Sequence, residues 1–453
     1  MQLALPCAIA SRFRMRLALG KLAGCLYRWV AIPARDGMSR WHESRIMHLA
    51  AFHSMEMLLM SRPKPRLIRL CAAALLLGMA DSCWAADQIT VGFISTMSGV
   101  NAVVGQDMRD GFNLFLNQNG GKLGGLAVNF IIRDDEAKPD VARQVAERFV
   151  SNDKVDVVVG VLASNILLSI AKPILDSKTY LISMGSGPSA LAGKRCSPYF
   201  FSMSWQNDSL AETLGAYFTA QKIEDVFALS PDFPAGRDVV AGLKRTYSSP
   251  LKSETYTQFM QMDYANELTQ IRALKPKALF FFLSAGPAIN FIKQYKQAGL
   301  DSEVPAYSTS LDETVFPALG SAVQGVYSTA TWTSSTPLPQ NESFVTAFKS
   351  TYGRLPSVWA ANAYDTANLL NGAISAVKGK IEDKSAFRTA LEGAPFQSLR
   401  GDFKFNTNHF PIQDYYLAQA ASDGHGGTAF LVREKVLAAH KDAYFDECKM
   451  SSD

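Results

Sequence analysis

What this chain of 453 residues lacks narrows the field first. Histidine is scarce, and only His409, His425 and His440 lie beyond the N-terminal region. None of them stands in an HExxH or CxxC context, so the sequence offers no zinc centre. No G-x-S-x-G turn occurs; Ser186, in Met184-Gly185-Ser186-Gly187, lacks that spacing. A Walker A loop is missing, and no GxGxxG follows the first strand. No cofactor and no metal are expected, and nothing asks for catalysis. Low-complexity tracts and long linkers are also missing. The apolar run at 70–79 is ten residues long, too short to span a bilayer.

One-sided charge is also lacking, although the net charge of +4 suggests otherwise. Residues 1–85 hold twelve Lys/Arg and four Asp/Glu, or +8, which leaves 33 basic against 37 acidic residues, or −4, for the rest. The basic excess sits in one terminal stretch, so a nucleic-acid partner is not expected. What is present is 48% apolar and 19% charged residues, the balance of a globular chain with ample core. The length predicts two or three structural units.

The N-terminal region explains the charge. Arg62, Lys64, Arg66 and Arg69 precede the apolar run LCAAALLLGM, and Cys83-Trp84-Ala85 follows it with small flanking residues. That is the order of a secretory signal over 60–85, cleaved near Ala85. A short anchored or buried helix is the alternative. Residues 1–59 precede the signal, which points to a true start at Met55, Met57 or Met60; an unusual basic leader is the competing reading. Only Cys196 and Cys448 follow the cleavage point. An exported chain with two cysteines is expected to pair them.

Residues 155–188 organise the rest. Two β-branched apolar runs, 155–161 and Leu181-Ile182, each end in a loop of small residues, with a helix-length segment at 166–175 between them. This reads as strand, loop, helix, strand, loop of a buried parallel sheet. Both loops then fall at the carboxyl ends of adjacent strands, where open α/β sheets bind ligands. The same alternation runs along the chain. Strands are expected at 88–95, 127–133, 199–204, 226–230, 278–283, 305–309 and 325–332, with later ones at 401–405, 415–419 and 429–433. Met108, Phe112 and Phe115 mark one amphipathic helix, and Ala265, Leu268, Ile271 and Leu274 another. The series restarts near residue 208. The fold class is therefore α/β, with two similar lobes, each a mostly parallel sheet flanked by helices. Chain crossings between the lobes make a hinge.

The strand ends are rich in Ser, Gly, Pro and aromatics. Small residues there admit a ligand to backbone N–H groups, and helix N-termini favour an anion. Ser164 suits that role, or is a plain N-cap. Gly185 and Gly187 face a ligand or serve only the turn. Trp205 and Phe233 stack on a ring or pack the hinge. Asp134-Asp135-Glu136 reads as a solvated turn with helix N-terminal charge.

The order of these segments resembles type I periplasmic solute-binding proteins of ABC transporters, in the leucine/isoleucine/valine-binding family. The resemblance covers nearly all of 88–448. It is carried by Ile89-Thr90-Val91-Gly92 with Met97-Ser98-Gly99 and Gly105, by Val157-Val158-Val159-Gly160 with Ser164, and by Ser183 with Gly185-Ser186. Ala363-Tyr364-Asp365, Phe405-Asn406-Thr407-Asn408-His409 and Asp414-Tyr415-Tyr416 continue it.

The resemblance implies a two-lobed trap joined by three crossovers, one lobe from 86–207 plus 333–398, the other from 208–332 plus 399–447. It implies a non-enzymatic, soluble, monomeric periplasmic protein that hands a small organic acid to an inner-membrane ABC permease. A ligand sensor of the same fold is the alternative, and a hydrolase using Ser186 a third. The ligand-carboxylate serine matches Ser164, and the backbone-contact loop matches Gly185, Ser186 and Gly187. Further contacts are expected from Ser98, Val104, Trp205, Phe233 (or Ala235 by strict spacing), Ser284 and Ser310. The acid that holds a ligand amino group in amino-acid binders is missing near Ser310, with Asp312 beyond it. Phe201-Ser202-Met203-Ser204-Trp205-Gln206-Asn207-Asp208 is similar to the branch that handles aromatic acids.

Overall fold

The computed structural model describes residues 88–424 and 426–450. The expected signal segment, residues 1–59 and His425 lie outside the described residues. The chain opens on β1 (Gln88–Ser95), whose apolar residues are buried along almost its whole length. Helix α1 (Ala102–Gln118) leads to a short hairpin of β2 (Lys122–Leu123) and β3 (Leu126–Asp134). Then come α2 (Pro139–Arg148), β4 (Val157–Gly160), α3 (Ser164–Asp176), β5 (Tyr180–Ser183), α4 (Ser189–Ala192) and β6 (Phe200–Ser202). The sheet order is β2-β3-β1-β4-β5-β6. All neighbours are parallel except β2 against β3.

Both faces of this sheet are covered, which is why its strands read as unbroken apolar runs rather than alternating ones. On one face Phe93, Met108 and Phe112 enter the core, and Phe112 stacks on Phe130 with centroids 4.8 Å apart. On the other, Ile166, Ile170 and Ile174 of α3 form one stripe against Phe149 and Val158.

The unit then repeats. Helix α5 (Ser209–Ala220) is followed by β7 (Val226–Pro231), α6 (Pro234–Thr246), β8 (Ser253–Thr257), α7 (Ala265–Leu274) and β9 (Ala278–Phe281). Next are α8 (Ala285–Gln297), β10 (Ala306–Ser308), α9 (Phe316–Leu319) and β11 (Tyr327–Ala330). The parallel part runs β8-β7-β9-β10-β11, the same relative order as β3-β1-β4-β5-β6. The expected two-lobed α/β architecture is therefore present.

Helices α10 (Pro339–Tyr352), α11 (Val358–Ala376) and α12 (Lys384–Glu392) return to the first sheet. Gly111 on α1 shows how closely α11 approaches, since a Cβ there would lie 2.1 Å from the Ala360 carbonyl oxygen. The chain closes with β12 (Lys404–Phe405), β13 (Pro411–Ser422) and β14 (Thr428–His440). β13 pairs antiparallel with β11 and β14.

Three details depart from the sequence reading. The late strands are far longer than 415–419 and 429–433, because β13 and β14 form one hairpin whose outer part is solvent-facing and therefore polar. Residues 399–410, expected with the second lobe, also pack on the first: His409 stacks on Phe201 at 3.9 Å, and Asn408 Nδ2 donates to the Ala192 carbonyl at 2.9 Å, while β12 still pairs with β13 of the second sheet. Strand β8 (SETYT) was invisible to an apolar pattern because it is an edge strand with mostly half-exposed residues.

Cys196 and Cys448 are joined in a disulfide, with Cα atoms 5.6 Å apart across 252 positions. No helix of the described residues is long and apolar enough to cross a membrane.

The first and third passages between the sheets meet at one buried ion pair, and the second touches its edge. Asp365 on α11 faces Arg400 at 3.4 Å, both side chains essentially without solvent contact. Asp365 also accepts from Ser398 Oγ at 2.6 Å and from the Leu399 amide at 3.0 Å. Arg400 Nη1 donates to the Ser204 carbonyl in the first passage and to Gln413 Oε1 in β13. Gln340, at the end of the second passage, donates to the Ser398 carbonyl at 3.1 Å. Removing one partner leaves an uncompensated buried charge. Arg400→Met is expected to destabilise the fold by roughly 3–5 kcal/mol in guanidinium unfolding, and adding Asp365→Asn to recover part of that loss.

Candidate functional site

In each sheet the strand order reverses beside the first strand, between β1 and β4 and between β7 and β9. Ligands of open α/β sheets sit outside the carboxyl ends at such a reversal. Here the two reversals face one cavity of about 610 Å³, open solvent at its mouth included. Asn101 comes from the segment after β1, Leu162, Ala163 and Ser164 from the end of β4, Phe233 from the end of β7, and Phe282 and Ser284 from the end of β9.

The first wall is polar. Gly160 (φ 116°) and Val161 (φ 67°) both take left-handed backbone, which turns the chain sharply out of β4. A β-branched residue there is a true outlier, and such strain gathers at binding sites. The turn places Ser164 as the first residue of α3. Its hydroxyl lies 2.8 Å from Ser186 Oγ and accepts from Asn207 Nδ2 at 3.1 Å. The N-cap position itself is taken by Ala163. Ser183 Oγ receives the Ser186 amide at 3.1 Å, fixing the loop behind it. Gly185 keeps the loop close to its neighbours: a Cβ would displace the Met108 methyl and lie 3.0 Å from the Val161 carbonyl oxygen.

Asn207 joins this wall to the other lobe. Its Oδ1 accepts from the Gly187 amide at 3.1 Å, and its Nδ2 also reaches Asp238 on α6 at 3.0 Å. Asp238 in turn accepts from the amide and hydroxyl of Ser189 at 2.9 and 2.7 Å.

The second wall is aromatic. Phe233 packs on Phe259 at 4.7 Å and stacks on Phe282 at 6.1 Å. Trp205 and Trp359 form the floor, with ring centroids 5.3 Å apart. No charged side chain is among the lining residues. An anion here would meet hydroxyls, backbone N–H groups and the N-terminus of α3, whose partial positive charge favours it. An ammonium group would meet no counter-charge.

The acid nearest the expected amino-group position, Asp312, is committed elsewhere. It accepts from the Thr314 amide at 2.8 Å and from Trp359 Nε1 at 2.6 Å. Asp312 and its neighbour Glu313 line a second cavity behind the tryptophans. Burial pushes the Asp312 carboxyl up to about 6 and that of Glu313 up to about 7.

Six expected contacts line the main cavity: Ser164, Gly185, Trp205, Phe233, Ser284 and Ser310. Ala235, the alternative to Phe233, lines it as well. Four stand outside the lining. Ser186 lies behind Ser164, and Gly187 is engaged by Asn207. Val104 is fully buried in the first-lobe core, because the opening turn of α1 faces the sheet. Ser98 is exposed ahead of α1. The Asp134–Asp135 turn is a correction: rather than a solvated face, it clamps the loop after β1. Asp134 takes the Met97 amide at 2.8 Å, and buried Asp135 takes Thr96 Oγ1 at 2.7 Å.

Asn207 and Trp359 were missed as site residues. Asn207 lay inside a motif already quoted, whereas Trp359 sits early in a long helix with nothing local to single it out. Neither described histidine beyond the N-terminal region serves Ser186 as a base. His409 contacts Phe200 O and Glu392, and His440 contacts Glu212.

The raised carboxyl of Glu313 makes a sign-specific prediction. The folded chain holds a proton that the unfolded chain releases, so this group stabilises the fold least above its folded pKa. Stability is lost as pH rises from 4.5 to about 7 and is level beyond. Glu313→Gln should therefore raise the melting temperature at about pH 8 and give little gain near its unfolded pKa. Paired melting curves across pH check this.

Comparison with known proteins gives one answer. A family model described as periplasmic binding protein matches residues 88–425. Leu/Ile/Val-binding protein homolog 6 of Brucella melitensis biotype 1 is 24% identical over 370 residues, covering 77% of this chain and 91% of its own. A solute-binding protein of an ABC transporter from R. palustris, solved with benzoate, is 26% identical with a TM-score of 0.75, covering 80% of this chain and 99% of its own. One from Rhodopseudomonas palustris BisB5, solved with 3,4-dihydroxy benzoic acid, is 26% identical with a TM-score of 0.73, over 79% and 99% of the two chains.

Proposed function

The chain belongs to the periplasmic binding protein family, and from that premise we propose that it captures a small aromatic carboxylate between its lobes and delivers it to an inner-membrane ABC permease. Its family binds solutes, and the proposal adds that this member is exported to the periplasm, acts as a monomer and turns nothing over. The observation that carries the choice of ligand is the lining itself. Ser164 and the start of α3 offer neutral donors for an anion, while Phe233, Phe259 and Phe282 offer an aromatic wall. A free amino acid needs an acid for its ammonium group, and none lines this cavity. The relatives solved with benzoate and 3,4-dihydroxy benzoic acid support the same reading.

In this reading the lobes are 86–207 with 333–398 and 208–332 with β13 and β14, while 399–410 packs on the first. They close over the ligand about the crossovers. Ser186 and Gly187 act from behind, and Asn207, which also lines the cavity, holds Ser164 and the loop in place.

A thermal-shift screen tests this. Benzoate- and cinnamate-type acids at a hundredfold excess over Kd are expected to stabilise the protein by about 2.7 kcal/mol, and leucine, isoleucine and valine to leave the melt unmoved. The reverse pattern sinks the aromatic-acid reading. Ser164→Ala should weaken benzoate binding about tenfold, a loss of about 1.4 kcal/mol, with the fold intact. Unchanged affinity removes Ser164 from the site.

A further inference from the structure

The second cavity, about 420 Å³ with open solvent included, adjoins the first across Trp205 and Trp359, which line both, as do Leu210, Thr309 and Ser310. Its walls come from the end of β10 (Thr309, Asp312, Glu313) and from β11 and the passage after it (Thr329, Thr331). The hydroxyls of Thr309, Thr329 and Thr331 are buried, and none has a hydrogen-bond partner. The three residues are only 2 to 3% exposed. A single orphaned hydroxyl is unremarkable, but burying one without a partner is unfavourable, and three lining one cavity are out of keeping with a satisfied core.

The remaining polar groups decide what would satisfy them. Asp312 already receives the Thr314 amide and Trp359 Nε1, and Glu313 receives the Ser334 amide at 2.9 Å. Each carboxylate oxygen so engaged retains a second lone pair. No Lys, Arg or His is among the residues of this cavity. The chamber is thus rich in acceptors, hostile to an anion, and reached past two indole rings.

We propose that this chamber receives a hydrogen-bond-donating phenolic hydroxyl at the far end of an aromatic carboxylate whose acid end lies at Ser164. The inference rests on the aromatic-acid reading above and narrows it. The cargo is a hydroxylated aryl acid long enough to pass the tryptophan pair, of the 4-hydroxycinnamate type rather than a bare benzoate. The carboxylate stays with the neutral donors of the first wall, the ring lies along Trp205 and Trp359, and the hydroxyl meets the threonines and Asp312.

Calorimetric titration of the wild-type protein with cinnamate, 4-methoxycinnamate and 4-hydroxycinnamate tests this. The hydroxylated acid is expected to bind about tenfold more tightly than the other two, since the methoxy group fills space but donates nothing. In the Thr329→Val/Thr331→Val variant that advantage should shrink to about twofold or less. Equal affinity of the three acids for the wild-type protein overturns the inference and leaves the aromatic-acid reading standing. So does an advantage that survives in the variant. Failure of all three acids and of benzoate to bind, with leucine binding instead, overturns both.

Discussion

The buried pair of Asp365 and Arg400 is the constraint on which the two-lobed arrangement depends. Taking both charges out of water is costly, and their attraction offsets that only when the remaining donors and acceptors are also satisfied. Most of them are met here by the Ser204 carbonyl, the Ser398 hydroxyl, the Leu399 amide and Gln413, while Arg400 Nη2 is left without a partner. These groups come from the first passage, the third passage and β13. They converge on the pair only when those segments run side by side, which makes it a device for specifying connectivity more than a source of net stability. Both sheets are aligned by it, and so are the strand ends that build the cavity.

The cavity follows a different electrostatic logic. It lies near a buried ion pair and a buried acidic pair, yet has no charge of its own. An anion held by hydroxyls and a helix N-terminus leaves no counter-ion unpaired when the site is vacated. The aromatic second wall then sets the shape of what fits, and Asp312, withdrawn behind Trp359, no longer sets its charge.

How much of this was legible in the sequence depended on the range of the signal. The β-branched runs of β1 and β4 announced buried parallel strands, because both faces are covered and the pattern is local. Ser164, Gly185, Phe233, Ser284 and Ser310 followed from the rule that ligands meet strand ends, which needs no side-chain detail. Strand β8 lacked the apolar signature because an edge strand does not need it. The first turn of α1 misled: Val104 and Ser98 lie near the cavity in sequence, but the helix faces one into the core and leaves the other in solvent. Trp359 joins the site from a helix some 150 residues downstream of Trp205, through packing that no short window of sequence encodes. Its contact with Asp312 holds that acid, two residues past Ser310, away from the cavity.

The disulfide has a mechanical consequence. Strand β14 ends at His440 in the second sheet, and the chain then returns to Cys448, which is bonded to Cys196 beside β6 of the first. The tail is anchored on the way by Tyr444, whose hydroxyl donates to Asp208 at 2.8 Å. Besides the three peptide passages, the lobes thus share a fourth, covalently closed strap. Three peptide passages set the axis about which one lobe can turn; a strap of fixed contour length sets how far. Its length caps the gape of the mouth, so whether this one bond is closed governs an amplitude of motion as well as a melting point.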